Sequence, residues 1–160
     1  MNSKEIIESV YRKDYTTLRE AIDYGVNLNV PDEDGRTPLM HAVLASDADA
    51  KMVRFLVDNG ANPNSLDRAQ KWTALHLAAR DQKVPIVKAL LDLGSVVDAE
   101  DSFGNTPLWR CVMEAKPRPE ILKMLLENGA NQNKKNAHGA SPRDIAERMG
   151  KTEALSLFAG

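Results

Sequence analysis

Two markers recur along this chain in step with each other, and their recurrence restricts the fold more than any other feature. Gly25, Gly60, Gly94 and Gly129 are separated by 35, 34 and 35 residues. An apolar pair and then an acidic residue stand just before each glycine: Ala21-Ile22-Asp23, Leu56-Val57-Asp58, Leu90-Leu91-Asp92 and Leu125-Leu126-Glu127. Thr37-Pro38-Leu39, Thr73-Ala74-Leu75, Thr106-Pro107-Leu108 and Ser141-Pro142 follow their preceding glycines by 12, 13, 12 and 12 residues. A constant period of this length marks a row of stacked supersecondary units, each too small to bury its apolar face alone.

Each marker has a physical reason. A Thr or Ser hydroxyl caps free backbone amides at a helix start, and proline suits the first helical position. Leucine followed by small residues, as in Leu75-His76-Leu77-Ala78-Ala79, lets neighbouring helices approach closely. A second helix carries paired apolar residues at helical spacing, as in Ile86-Val87 and then Leu90-Leu91. Pro85 and Pro119 fall where that helix begins, a tolerated place. The glycine ends it as the left-handed residue after the last turn. Polar segments such as Ala61-Asn62-Pro63-Asn64 then read as turns. One unit is therefore helix, turn, helix and an extended loop or hairpin.

Bulk properties exclude several functions. A net charge of −2 gives no broad positive field, which argues against a nucleic-acid partner. Cys111 is the only cysteine, so no intramolecular disulfide forms and a reducing compartment is expected. No apolar run approaches the roughly 18–20 residues that span a bilayer, so no membrane role is expected. Met1-Asn2-Ser3-Lys4-Glu5 leads into a charged helical pattern and not a secretory apolar core, which predicts a cytoplasmic protein.

Asp34-Gly35-Arg36-Thr37-Pro38-Leu39 and Trp72-Thr73-Ala74-Leu75-His76-Leu77-Ala78-Ala79 resemble the ankyrin repeat. So do Asn59-Gly60-Ala61-Asn62 and Asn128-Gly129-Ala130-Asn131. The resemblance implies an all-α ankyrin-repeat solenoid of about five helix-turn-helix repeats joined by extended loops or β-hairpins. It divides a single domain, 1–160, into an N-cap at 1–33, repeats at 34–66, 67–100 and 101–135, and a C-cap at 136–160. The C-cap has Arg143-Asp144 where Leu-His is the family's pattern. Three departures stand out. Thr37 to Gly60 and Thr106 to Gly129 are each 23 residues, against 21 from Thr73 to Gly94, so residues have been added at Ala45–Ala50 and Ala115–Pro119. In the third repeat Lys71 replaces the loop glycine, and the Asp67–Trp72 stretch is one residue longer.

Catalytic chemistry is not supported. His41, His76 and His138 form no HExxH motif, and Cys111 has no partner at metal-ligand spacing. No phosphate-binding glycine loop or Gly-x-Ser-x-Gly elbow is present. No cofactor, metal or enzymatic activity is expected. The resemblance makes His76 a structural loop residue and places Cys111 where the family has a small alanine, a buried thiol.

What the resemblance implies instead is protein binding on a concave surface of loop tips and first helices. The tip positions carry Arg36, Gln70, Trp72, Phe103, Asn105 and His138. The first helices add Leu44, Arg80, Asp81, Trp109, Arg110, Met113 and Glu114. Trp72, Phe103 and Trp109 stand out in a chain that is 5% aromatic, because large rings and arginines make binding hot spots. They could equally pack against neighbouring tips, and Trp109, which replaces a motif histidine, could be half buried. The contact reading expects that removing Trp72 and Phe103 together weakens partner binding and leaves melting nearly unchanged. Leu90→Ala or Leu125→Ala would instead cost about 2–5 kcal/mol by opening a core cavity. Acidic residues gather at Asp32, Glu33, Asp34, Asp67, Asp98, Glu100 and Asp101, either as a solvated surface or as a stripe for a basic partner, and Lys134 and Lys135 reverse the sign.

The partner is another protein, and the free chain is expected to be a monomer. Asp101–Arg110 and Lys71–His76 resemble small stand-alone bacterial ankyrin proteins of toxin–immunity loci. That resemblance implies an immunity protein, or antitoxin, that neutralises a cognate toxin. The alternatives are a stoichiometric inhibitor of an endogenous enzyme, or an adaptor or effector binding host proteins. The adaptor would need a second surface, which the lengthened turns could supply.

Overall fold

A computed structural model of the chain describes residues 1–159. Among them ten helices run in five antiparallel pairs. The pairs are α1 (Ser3–Tyr11) with α2 (Tyr15–Asp23), α3 (Pro38–Leu44) with α4 (Ala50–Asp58), α5 (Ala74–Arg80) with α6 (Val84–Asp92), α7 (Pro107–Met113) with α8 (Pro119–Glu127), and α9 (Pro142–Arg148) with α10 (Thr152–Phe158). First helices pack in a row, α1 on α3 on α5 on α7 on α9, and α4 packs on α6 and α6 on α8 in a second row. No β-strand is present among the described residues, so the loops between repeats are extended segments with tight turns.

Local chemistry sets the start of every helix but α10, and most ends. Thr37, Thr73, Thr106 and Ser141 each accept, at the side-chain hydroxyl, the N–H of the residue three positions on. Proline stands in the first turn of α3, α6, α7, α8 and α9. The four periodic glycines have φ of +80°, +102°, +90° and +92°, a region that favours glycine. There the Gly25 N–H donates to Ile22 O and the next N–H, of Val26, reaches back to Ala21 O. The same pair of bonds closes α4, α6 and α8, satisfying carbonyls that a helix end leaves unpaired.

The apolar faces fuse into one continuous core. Leu18, Val53, Leu56, Leu75, Val87, Leu90, Leu108, Ile121, Leu125 and Cys111 are wholly buried in it. Burial pushes the Cys111 thiol up to about 11, so it is a packing residue.

The turns inside the pairs alternate in length. Residues 12–14, 81–83 and 149–151 make short turns, and 45–49 and 114–118 make longer ones. Each long turn is held by side chains of the short turns beside it. Lys83 Nζ donates to Val43 O and Ala45 O, and Lys151 Nζ to Glu114 O and Ala115 O. Lys13 Nζ lies 3.1 Å from Asp47 and 2.8 Å from Asp49 carboxylate oxygens, and the Arg118 N–H donates to Gln82 Oε1. The added residues thus present helix-end carbonyls to lysines of the next repeat.

Candidate functional site

Four loop tips stand at the same end of the helix pairs, and each is built around one carboxylate or amide. Asp32 Oδ1 accepts the N–H groups of Asp34 and Arg36, at 3.0 and 2.8 Å. Asp67 Oδ1 accepts those of Gln70 and Trp72, Asp101 Oδ1 those of Phe103 and Asn105, and Asn136 Oδ1 those of His138 and Ala140. In each tip the backbone N–H of the acidic or amide residue donates across the turn, from Asp32 to Arg36 O, Asp67 to Trp72 O, Asp101 to Asn105 O and Asn136 to Ala140 O. The turn needs a left-handed residue, supplied by Gly35, Gly104 and Gly139. In the third repeat Lys71 takes it, at φ +57°, a conformation that costs a side-chain-bearing residue energy.

The tips are joined into a ladder. The Arg68 N–H donates to Asp34 O at 3.1 Å, Ser102 N–H to Gln70 O at 2.8 Å, and Ala137 N–H to Phe103 O at 2.9 Å. At Gly35 an added Cβ would lie 2.6 Å from Arg68 N, so the crossing strand of loop leaves no room for a side chain. Two columns of side chains result. Asp34, Gln70, Phe103 and His138 form one, and Arg36, Trp72, Asn105 and Ala140 form the other.

The columns differ in exposure. Trp72 is only 7% exposed. Its indole N–H donates to Asp101 Oδ2 at 3.1 Å, its ring stacks on His76 at 6.4 Å, and Arg80 and Arg110 lie over it at 4.9 and 4.7 Å. Arg110 also pairs with Asp101, and its guanidinium lies 5.4 Å from the Trp109 ring. Burial alone would raise the Asp101 carboxyl, but Arg110 and the N–H groups of Asn105 and Phe103 outweigh it and hold it below the usual carboxylate range. His76 Nδ1 accepts from the Thr73 N–H at 3.2 Å, and His76 Nε2 donates to Asn105 O at 2.8 Å. Burial, chiefly, holds this imidazole below its ordinary value, in its neutral form.

Trp72 and Asn105, which the sequence placed among the contact residues, are thus enclosed between repeats. Asn105 is buried, and its Oδ1 accepts from Asn136 Nδ2 at 2.7 Å. Gln70, Asp81, Phe103, Met113 and His138 are exposed, whereas Arg36, Leu44, Arg80, Trp109, Arg110 and Glu114 are half-buried. Of these, Arg80 and Arg110 lie over Trp72, Arg110 also lies over Trp109, and Phe103 and His138 stack on each other with ring centroids 6.3 Å apart. Arg36 and Leu44, in the second repeat, stand outside both groups. Trp109 occupies the position of His76, but its buried Nε1–H has no acceptor. Asp144, at that same position in the last repeat, accepts the Ser141 N–H at 2.8 Å and keeps the box closed. That bond, the Ser141 hydroxyl and Lys135 hold its carboxyl down at about 2.

The acidic stripe is shorter than the sequence suggests. Asp32, Asp67 and Asp101 organise their tips, Asp98 accepts the Asn131 N–H, and Glu100 lies 3.7 Å from Lys134. Glu33 and Asp34 are left with solvated carboxylates. The sequence marks Asp32, Asp67 and Asp101 as loop acids but not as organisers of their tips, and it does not single out Asn136. The signal was available, because Asp32, Asp67, Asp101 and Asn136 repeat at 35, 34 and 35 residues, in phase with the glycines. His41 was also missed as a link: its Nε2 lies 2.7 Å from Asp32 Oδ2 and its Nδ1 2.9 Å from Tyr11 Oη. No group of three or more His, Cys, Asp or Glu among the described residues is placed to share a metal ion, and no helix among them is long and apolar enough to cross a membrane.

A family model for ankyrin repeats in three copies matches residues 6–67 and 44–136. A putative ankyrin repeat protein of Rickettsia bellii is 30% identical over 131 residues, covering 81% of this chain and 70% of that protein. Human ankyrin repeat and SOCS box protein 6 is 35% identical over 114 residues, 68% of this chain and 27% of that protein. Human SH3 and multiple ankyrin repeat domains protein 2 is 31% identical over 164 positions, 99% of this chain but 9% of that protein.

Proposed function

This chain belongs to the ankyrin-repeat family of protein-binding scaffolds, and from that premise we propose that it is an immunity protein whose tip-and-first-helix face binds and neutralises a bacterial toxin. The observation that carries the binding reading is the ladder of tips, which holds Gln70, Phe103 and His138 in place on a scaffold with one core, while α7 exposes Met113. A face ordered before the partner arrives loses little conformational entropy on binding, which suits tight one-to-one occlusion. Similarity to a Rickettsia protein agrees with a bacterial setting. The mechanism is steric: the face covers the toxin's working surface and no bond is made or broken. It needs no cofactor, and it acts as a cytoplasmic monomer when free.

The test is growth of a bacterial host expressing the product of the neighbouring open reading frame, with and without this chain. Rescue of a lethal neighbour supports the antidote. A harmless neighbour, or death in both cases, rejects it for that pair and leaves a stoichiometric inhibitor of an endogenous enzyme as the next reading. The adaptor reading is weakened because carbonyls of both long turns are occupied by Lys83 and Lys151.

A further inference from the structure

The ladder of tips has an open end. Arg68, Ser102 and Ala137 each follow the residue that organises their tip, and each donates its N–H to the tip before. Glu33 holds the same place after Asp32, and its N–H has no acceptor among the described residues. Glu33 itself lines a groove of about 730 Å³ between α1 and residues 31–34, with His41. Ile7, Tyr11 and Pro31 give this groove apolar walls, and Tyr11, 46% exposed, is anchored through His41 to Asp32. Glu8, Glu33 and Asp34 stand along it with no ion-pair partner, and Lys4, on the same groove, pairs with none of them.

We propose that this groove receives an extended, lysine- or arginine-bearing segment of the partner protein, which continues the ladder by accepting the Glu33 N–H at a backbone carbonyl. An extended chain supplies the carbonyl that a preceding tip would present. A long cationic side chain lays its methylenes on Ile7 and Tyr11 and brings its charge to Glu8 and Asp34. An acidic or neutral segment lacks that charge complementarity. The site lies at the opposite end of the ladder from Phe103 and His138, so the partner is gripped at two places, by charge at one end and by aromatic contact at the other.

The inference rests on the reading of the chain as a protein-binding scaffold, but its test uses no toxin. The full chain, labelled with 15N, is titrated with an acetylated, amidated Gly-Arg-Gly-Lys-Gly peptide and with the same peptide carrying glutamine at both cationic positions. The expected result is a saturable shift of the Glu33 amide with the cationic peptide only. It weakens about fivefold in the Glu8→Gln, Asp34→Asn double variant, as for the loss of two exposed charge pairs. Neither carboxylate holds the fold together, so the double variant should melt like the parent. Equal binding of the glutamine peptide, shifts confined to Phe103 and His138, or no saturable shift at Glu33 would each overturn the proposal. So would a Glu33 shift that depends on protein concentration alone, which would put a second copy of the chain on the open edge. Failure to rescue growth with a saturable Glu33 shift rejects the antidote and keeps the groove. Rescue with no shift rejects the groove alone.

Discussion

The junction between the 67–72 and 101–105 tips is closed, and the next one, between 101–105 and 136–140, is half open. At the first, Trp72 lies within the stack with its indole N–H on Asp101, Arg110 pairs with the same carboxylate, and His76 reaches Asn105 O. At the second, the ladder bond from Ala137 to Phe103 remains, but Phe103 is 48% exposed and Trp109 leaves its N–H without an acceptor where His76 has one. Both junctions use the same backbone, so the difference comes from side chains in two columns. Aromatic rings do opposite work in them: Trp72 holds repeats together, and Phe103 is presented outward.

The largest expected effect tests the closed side. Trp72→Ala should lower stability by about 3–5 kcal/mol in urea unfolding, because it removes a buried ring from between two repeats. This replaces the expectation that Trp72 and Phe103 could be removed together without affecting melting. A loss under about 1 kcal/mol would erase the distinction between the junctions.

Asp101→Ala comes next, at about 3 kcal/mol, since Arg110 and the indole N–H would be left facing a site without an acceptor. Adding Trp72→Ala to it should cost less than the sum of the two single losses, because both remove the same bond. Full additivity in that double-mutant cycle would show that the indole–carboxylate contact contributes nothing.

His76 provides a pH test. Its folded pKa is below the ordinary 6.5, so between those values the unfolded chain binds a proton that the folded chain does not. Its stabilisation is complete above about pH 6.5 and is lost as pH falls through that window. In His76→Gln, stability measured by urea between about pH 7.5 and 5.5 should vary less with pH than in the parent. An unchanged slope would remove His76 from the closed junction's account.

The smallest effect on the fold belongs to the open side. Phe103→Ala should change stability by about 0.5–1 kcal/mol, yet weaken a bound partner by about 2 kcal/mol, roughly thirtyfold. Calorimetry with the identified partner decides it, and unaltered affinity would place the contact surface elsewhere.

Reading the residues in order was enough for the repeat itself. The glycine period, the Thr and Ser caps, the early prolines and the paired leucines are local signals, each acting within one helix or turn. They carry the number of helix pairs, their starts and their ends, and Lys71 and the two lengthened turns were visible as breaks in spacing. The use of those breaks was not visible. Lys83 and Lys151 reach carbonyls 36 to 40 residues earlier in the chain, and no local pattern announces such a bond.

The candidate face divides in the same way. Sequence alone placed Trp72 and Phe103 in adjacent tips and marked both as unusual, and it named the acidic loops. Tertiary structure decided that one ring is enclosed and the other presented, that Asp32, Asp67 and Asp101 serve their own turns, and that Glu33 stands at the free end of a ladder. A side chain's column depends on which backbone N–H groups its tip carboxylate gathers and on what the next repeat, some 34 residues away, brings against it. Burial and charge pairing are properties of that meeting, so they arise only when the repeats are stacked.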